Sequence, residues 1–73
     1  YDNFISKTWS GITGKHFYIR NNSDLTLVVC GQVLDKTCVG YWEKFYMILE
    51  ENQSRQASVF NIDEYRIDYI ERY

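Results

Sequence analysis

Residues 41–52 read Tyr41-Trp42-Glu43-Lys44-Phe45-Tyr46-Met47-Ile48-Leu49-Glu50-Glu51-Asn52, and the period assigned to this stretch decides the fold class. Placed at about 100° per residue, Tyr41, Trp42, Phe45, Tyr46, Ile48 and Leu49 fall within an arc of roughly 160°. Glu43, Lys44, Glu50 and Glu51 fill the polar side, and Met47 alone is out of phase. A strand reading would instead mix charges into both faces. The spacing therefore predicts one amphipathic helix over about 41–52, packed on the rest of the chain.

Working outward, the flanking segments read as strands. Lys15-His-Phe-Tyr-Ile-Arg20 is rich in aromatic and β-branched residues, and Asn21-Asn22-Ser23-Asp24 reads as a hairpin loop leading to Leu25-Thr-Leu-Val-Val-Cys30, an apolar central strand. Upstream, Asn3 to Trp9 fits an edge strand or a short helix, ending in a turn region with Gly11 and Gly14. Downstream, Asn52 to Gln56 is polar, Ala57 to Ile62 is strand-like, and Asp63-Glu64 reads as a tight turn. In Tyr65 to Tyr73 the residues Tyr65, Ile67, Tyr69 and Tyr73 alternate with Arg66, Asp68 and Arg72, as in a half-buried final strand. The expected class is α+β: one domain over 1–73, a small antiparallel sheet with one helix on it, in the order β-β-α-β-β.

Composition limits the function. The chain has 73 residues, 45% hydrophobic and 18% aromatic, with seven Tyr, four Phe, two Trp and a net charge of −2. Such a chain folds, yet it is small enough that a disulfide or an oligomer interface is expected to assist its core. Eight basic residues against ten acidic ones are scattered singly, which disfavours nucleic acid as a partner. The longest apolar run is far short of the roughly 20 residues that span a bilayer. The chain starts at Tyr1 rather than Met, which fits a removed leader or a segment of something longer, and both are compatible with export.

The constellations that enzymes need are missing: there is no glycine-rich phosphate loop, nucleophile elbow or paired-histidine helix. His16 with Cys30 or Cys38 has nothing that fixes a thiol and base pair, and Asp63, Glu64 and Asp68 read as solvated charges. No enzymatic activity is expected, no cofactor, and no metal site, since His16 and two cysteines lack a fourth ligand. Cys30 and Cys38 are symmetric about Leu34, so a turn near Leu34 to Lys36 would face them for a disulfide; two reduced core residues are the alternative. Two Asn-x-Ser sequons, Asn21-Asn22-Ser23 and Asn52-Gln53-Ser54, matter only in a eukaryotic secretory pathway. Trp42, Phe45 and Leu49 belong to the core by helical phase. The rings of Trp9, Tyr18 and Tyr73 are less constrained, and would stack on a sugar face or fill a subunit interface.

In order, Asp2-Asn-Phe-Ile-Ser6 with Gly11 downstream, the strands Lys15 to Arg20 and Thr26 to Cys30, the helix Tyr41 to Glu51 and the strand Ala57 to Ile62 resemble the B subunits of AB5 toxins. The subtilase, typhoid and pertussis toxin group is the most similar, over about residues 2–62. The resemblance implies an OB-like barrel that assembles into a secreted homo-pentamer binding cell-surface glycans, with a disulfide, and the helix lining the pore. Tyr18 stands where those relatives carry a cysteine and Tyr1 where a sugar-contacting serine is expected; Arg20 alone carries over as a sugar contact. The expected function is thus a non-catalytic binding protein, secreted or periplasmic rather than cytoplasmic, with Trp9, Tyr18 and Arg20 as ligand-binding candidates. The alternative is a small protein-interaction factor, such as an inhibitor, immunity or phage-encoded protein, that binds one partner through its Tyr-rich face or an open strand.

Overall fold

The computed structural model describes residues 1–10, 16–35, 40–57 and 62–73. A 3-10 turn over Asp2–Phe4 leads into β1 (Ile5–Ser10), followed by β2 (His16–Asn21), β3 (Leu27–Leu34), β4 (Trp42–Leu49), β5 (Ser54–Gln56) and β6 (Glu64–Arg72). The strands form two sheets, in the orders β1-β2-β5 and β4-β3-β6, with antiparallel neighbours throughout. Among the described residues the 3-10 turn is the one helical element. The expected α+β class, its β-β-α-β-β order and its helix are overturned.

The decisive stretch is β4, which pairs with β3 along its whole length, from Leu27 opposite Leu49 to Leu34 opposite Trp42. The reason is visible residue by residue. Phe45, Met47 and Leu49 share one face and turn inward, while Trp42, Lys44, Tyr46 and Ile48 share the other and turn outward. Met47, the residue out of helical phase, is 6% exposed, whereas Tyr46, counted within the apolar arc, is 64% exposed. The helical reading equated apolar with buried, and here three of the four aromatic residues, Tyr41, Trp42 and Tyr46, face solvent. Propensity agrees with the strand, since Trp, Tyr, Phe and Ile favour pleated surfaces, and Gly40 has no side-chain oxygen to accept from the N–H groups of a helix start.

The core lies between the sheets. Ile5, Phe17 and Ile19 from the first meet Leu27, Val29, Val33, Met47 and Leu49 from the second, and Ile62 adds to them. Each such side chain contributes about 1.5–3 kcal/mol by leaving water. The expected hairpin loop at 21–24 is instead a crossover, because β2 and β3 belong to different sheets. The polar stretch 52–56 contains β5, which pairs with β2. Of the expected strand Ala57 to Ile62, residues 58–61 lie outside the described residues.

Two crossovers meet at Asn21, which is fully buried at the end of β2. Its Nδ2 donates to the carbonyls of Leu25 (2.6 Å), Leu49 (3.0 Å) and Glu50 (3.2 Å), and its Oδ1 accepts from Ser23 N (2.9 Å) and Ser23 Oγ (2.6 Å). One side chain thus ties the β2–β3 connection to the β4–β5 connection and satisfies backbone groups that no ladder reaches. The second sequon asparagine, Asn52, is exposed with φ 59° in a turn where Gln53 N donates to Glu50 O at 3.0 Å. Asn accepts that left-handed position better than most residues.

β6 is not the uniform alternation that its sequence suggests. Cys30 pairs with Tyr69 but Gly31 pairs with Ile67, so Asp68 is an extra residue in a β-bulge. The bulge shifts the phase: Ile67 and Ile70 both pack against the core, while Tyr69 moves to the outer face with Arg66 and Asp68. Gly31 makes this geometry attainable. A Cβ there would collide with the Arg66 carbonyl oxygen and lie 2.8 Å from the Phe45 ring.

Candidate functional site

The sequence candidates Trp9, Tyr18 and Arg20 are not brought together. Trp9 pairs opposite Phe17 and its ring lies 4.8 Å from that of Phe17 and 6.1 Å from that of Tyr65, closing one end of the core between the sheets. Tyr18 and Arg20 alternate with the buried Phe17 and Ile19, and so stand on the outer face of the first sheet. Arg20 Nε donates there to Asn22 Oδ1 at 3.1 Å. His16 shares that outer face, with Gln56 Nε2 3.1 Å from its Nδ1. Cys30 lies on the outer face of the other sheet, so the two make no thiol and base pair.

Cys30 carries a free thiol, half-buried, with Tyr46 and Tyr69 as its cross-strand neighbours. Cys38 lies outside the described residues, and with it the disulfide geometry expected near Leu34; β3 runs through to Leu34 before the chain turns.

A different site forms on the outer face of the β4-β3-β6 sheet. Tyr46 on β4 and Tyr69 on β6 flank Cys30 on β3, two strand spacings apart, about 9.5 Å at the backbone. Tyr69 is 48% exposed. Between them lies a shallow depression of about 330 Å³, also lined by Lys44 and Asp68. Asp68 is aimed by two donors: Gln32 Nε2 at 3.1 Å from Oδ2, and Arg66 Nε at 3.3 Å from Oδ1. A carboxylate has about four acceptor positions, so about two remain for a ligand. Lys44 has no ion pair among the described residues. Further along the same face Arg66 lies over the Trp42 ring, 5.4 Å from its centroid.

The hydrogen bond of the Tyr69 hydroxyl with the Cys30 sulfur holds the Tyr69 phenol above its usual pKa, and the thiolate charge of Cys30 acts in the same direction. Tyr69 therefore remains protonated through the neutral range. In sum, the depression offers an obligatory donor in Lys44, an acceptor in Asp68 and two ring faces.

Sequence reasoning missed Lys44 and Tyr46 because the helix reading gave them to opposite sides, and missed Tyr69 and Asp68 because strict alternation separates them. The available signal was Gly31, a glycine inside an apolar strand, which marks a bulge or a close backbone approach.

Among the described residues no group of three or more His, Cys, Asp or Glu is gathered to hold a metal ion, and no helix is long and apolar enough to cross a membrane. No family model, no curated protein and no solved structure matches this chain.

Proposed function

We propose that this is a non-catalytic binding protein that takes a neutral sugar ring of a cell-surface glycan in the depression between Tyr46 and Tyr69. The observation that carries the reading is the pairing there of a donor-only Lys44 with an acceptor-only Asp68 between two exposed rings. An anionic ligand satisfies Lys44 but meets Asp68, and a cationic one does the reverse. A polyol satisfies both, because each hydroxyl donates and accepts, and its apolar ring face rests on a tyrosine. Two of the segments that resemble toxin B subunits, 15–20 and 26–30, support the glycan class as well. The part of that resemblance resting on a pore-lining helix over 41–52 is withdrawn, because those residues form β4. A cell-surface ligand places the protein outside the cytoplasm, and a shallow single site of this kind gains strength from several copies acting together.

The test is a glycan array read with the native chain and with Tyr46→Ala, Tyr69→Ala, Asp68→Asn and Tyr18→Ala. The expected result is binding that falls at least tenfold in the first three variants and is unchanged in Tyr18→Ala. Binding lost only in Tyr18→Ala would move the site to the first sheet, and no binding to any neutral glycan would refute the reading. One observation favours a protein partner instead: Trp42 with Arg66 over it adds, beside two exposed tyrosines, the residue types that dominate protein interfaces. Under that reading the array is blank, and Trp42→Ala abolishes capture of one defined protein that Tyr18→Ala still captures.

A further inference from the structure

Resting on the sugar-binding reading above, we infer that the ligand is a chain of at least two sugar units, the second lying against Tyr1 along the outer edge of β6 and carrying no acidic group. A second depression, of about 280 Å³, is lined by Tyr1, Asp2, Ile67, Asp68, Tyr69 and Ile70. Asp68 and Tyr69 also line the first depression, so the two lie on either side of that pair of residues, and a ligand of two units crosses it. Ligand pockets run from about 300 to 1,000 Å³. The first depression is therefore near the floor of that range and the second just below it, each suited to one ring, and together they suit a short chain.

The second depression is built much as the first is, with a ring on one side and Tyr69 on the other. Tyr1 is 54% exposed. It is steadied from behind, its carbonyl accepting the Phe4 N–H at 2.9 Å and its ring lying 5.7 Å from that of Phe4. Among the described residues β6 pairs with β3 alone, so its other edge is open beside this depression. The polar chemistry differs, however. The lining side chains supply two carboxylates, Asp2 and Asp68, and no cation. Lys7 is 3.7 Å from Asp2 and does not line the depression. A unit held there donates to both carboxylates, as unsubstituted hydroxyls or an amine do, while a uronic or sialic acid sets a further carboxylate beside two whose nearby cations, Lys7 and Arg66, are already engaged.

The experiment is calorimetric titration of the native chain with the gluco, galacto and N-acetylglucosamine series, each as methyl glycoside, β-linked disaccharide and tetrasaccharide, plus a disaccharide with a uronic acid at either end. In at least one series affinity rises tenfold or more from methyl glycoside to disaccharide. Tyr1→Ala returns the disaccharide to within twofold of the methyl glycoside and leaves the methyl glycoside unchanged. Asp2→Asn reduces the penalty on the uronic acid. Amide shifts at Asp2, Ile67 and Ile70 move with the disaccharide and not with the methyl glycoside, and melting curves show that both variants fold. A methyl glycoside that binds with no gain on lengthening, or a gain that survives in Tyr1→Ala, overturns this inference and leaves the single-ring site intact. Failure of all series to bind overturns the sugar reading and this inference with it.

Discussion

Replacing Gly31 with alanine tests the bulge on which the outer face depends. The added methyl is directed at two obstacles, the Arg66 carbonyl oxygen and the Phe45 ring at 2.8 and 2.9 Å. A ring edge can shift at small cost, but a backbone carbonyl within a paired strand cannot move without disturbing the β3–β6 ladder on either side of the bulge. Forced methylenes in packed interiors cost about 1–3 kcal/mol, and a backbone obstacle places this one at the upper end, about 3 kcal/mol. Against a total of about 4–11 kcal/mol for a domain of this length, that is a large share. At about 4–8 °C per kcal/mol, Gly31→Ala should melt about 12–24 °C below the native chain. Tryptophan fluorescence or circular dichroism reads the transition. Gly40→Ala is the control: φ there is 75° and nothing lies within 4 Å of the added Cβ. It carries conformational strain alone, about 1 kcal/mol, and a fall of about 4–8 °C. Adding Phe45→Leu to Gly31→Ala should restore little, because the carbonyl remains. A loss below about 1 kcal/mol for Gly31→Ala, or full rescue by Phe45→Leu, would show that the strands do not meet as described.

Three further outcomes are expected. Met47→Ala should cost about 2–5 kcal/mol as a core truncation and its neighbour Tyr46→Ala less than about 0.5 kcal/mol; denaturant melts giving the opposite order would restore the helix. Asn21→Ala should cost about 3 kcal/mol or more, since several buried partners lose their hydrogen bonds at about 1–3 kcal/mol each. Asn21→Asp should be worse at pH 7 than at pH 4 relative to the native chain, because a carboxylate facing three carbonyl oxygens is the disfavoured form; equal losses at both would argue against the clamp. Tyr69 should ionise later than a free tyrosine and Cys30→Ala should bring it back, as followed by NMR of the ring resonances. Since its pKa is raised by folding, its stabilising effect is complete below the ordinary value of about 10 and fades as the pH passes through the raised one. Tyr69 titrating with the other tyrosines would remove the Cys30 hydrogen bond from the account.

Parts of the fold were legible because side-chain type and burial coincide in them. His16 to Arg20 and Leu27 to Cys30 combine β-branched and aromatic residues with inward apolar positions, and both are strands. The stretch 41–52 was misread because its outward residues are aromatic, so that a helical arc and a strand with one wet aromatic face have nearly the same composition. Ser54–Gln56 was opaque for the opposite reason: all three residues are exposed, and the strand exists through its main-chain pairing with β2. Which side of a sheet a ring occupies depends on register. Tyr18 and Arg20, two apart on one strand, could be placed together from sequence, but Trp9 joins Phe17 on the other face only because β1 pairs as Trp9 opposite Phe17.

The two outer faces of the sandwich are unlike, and this bears on why the aromatic one exists. The outer face of the first sheet presents Ser6, Thr8, Ser10, Tyr18 and Arg20, the ordinary polar covering of a half-buried antiparallel sheet. The second presents Trp42, Tyr46 and Tyr69, the first of them 38% exposed. Aromatic residues on strands stabilise a sheet chiefly by pairing with large neighbours directly across. Here the cross-strand partner of both Tyr46 and Tyr69 is Cys30, and among the described residues their rings form no aromatic pair with each other. Little stability is gained by leaving these rings in water, whereas Trp9, Phe17 and Tyr65 do associate and cover the core. An exposed aromatic set that contributes little to folding, arranged around an oriented carboxylate and an ammonium with no ion pair among the described residues, fits the binding role proposed above. Tyr46→Ala and Tyr69→Ala should therefore separate the two roles, leaving the melting temperature nearly unchanged while removing glycan binding.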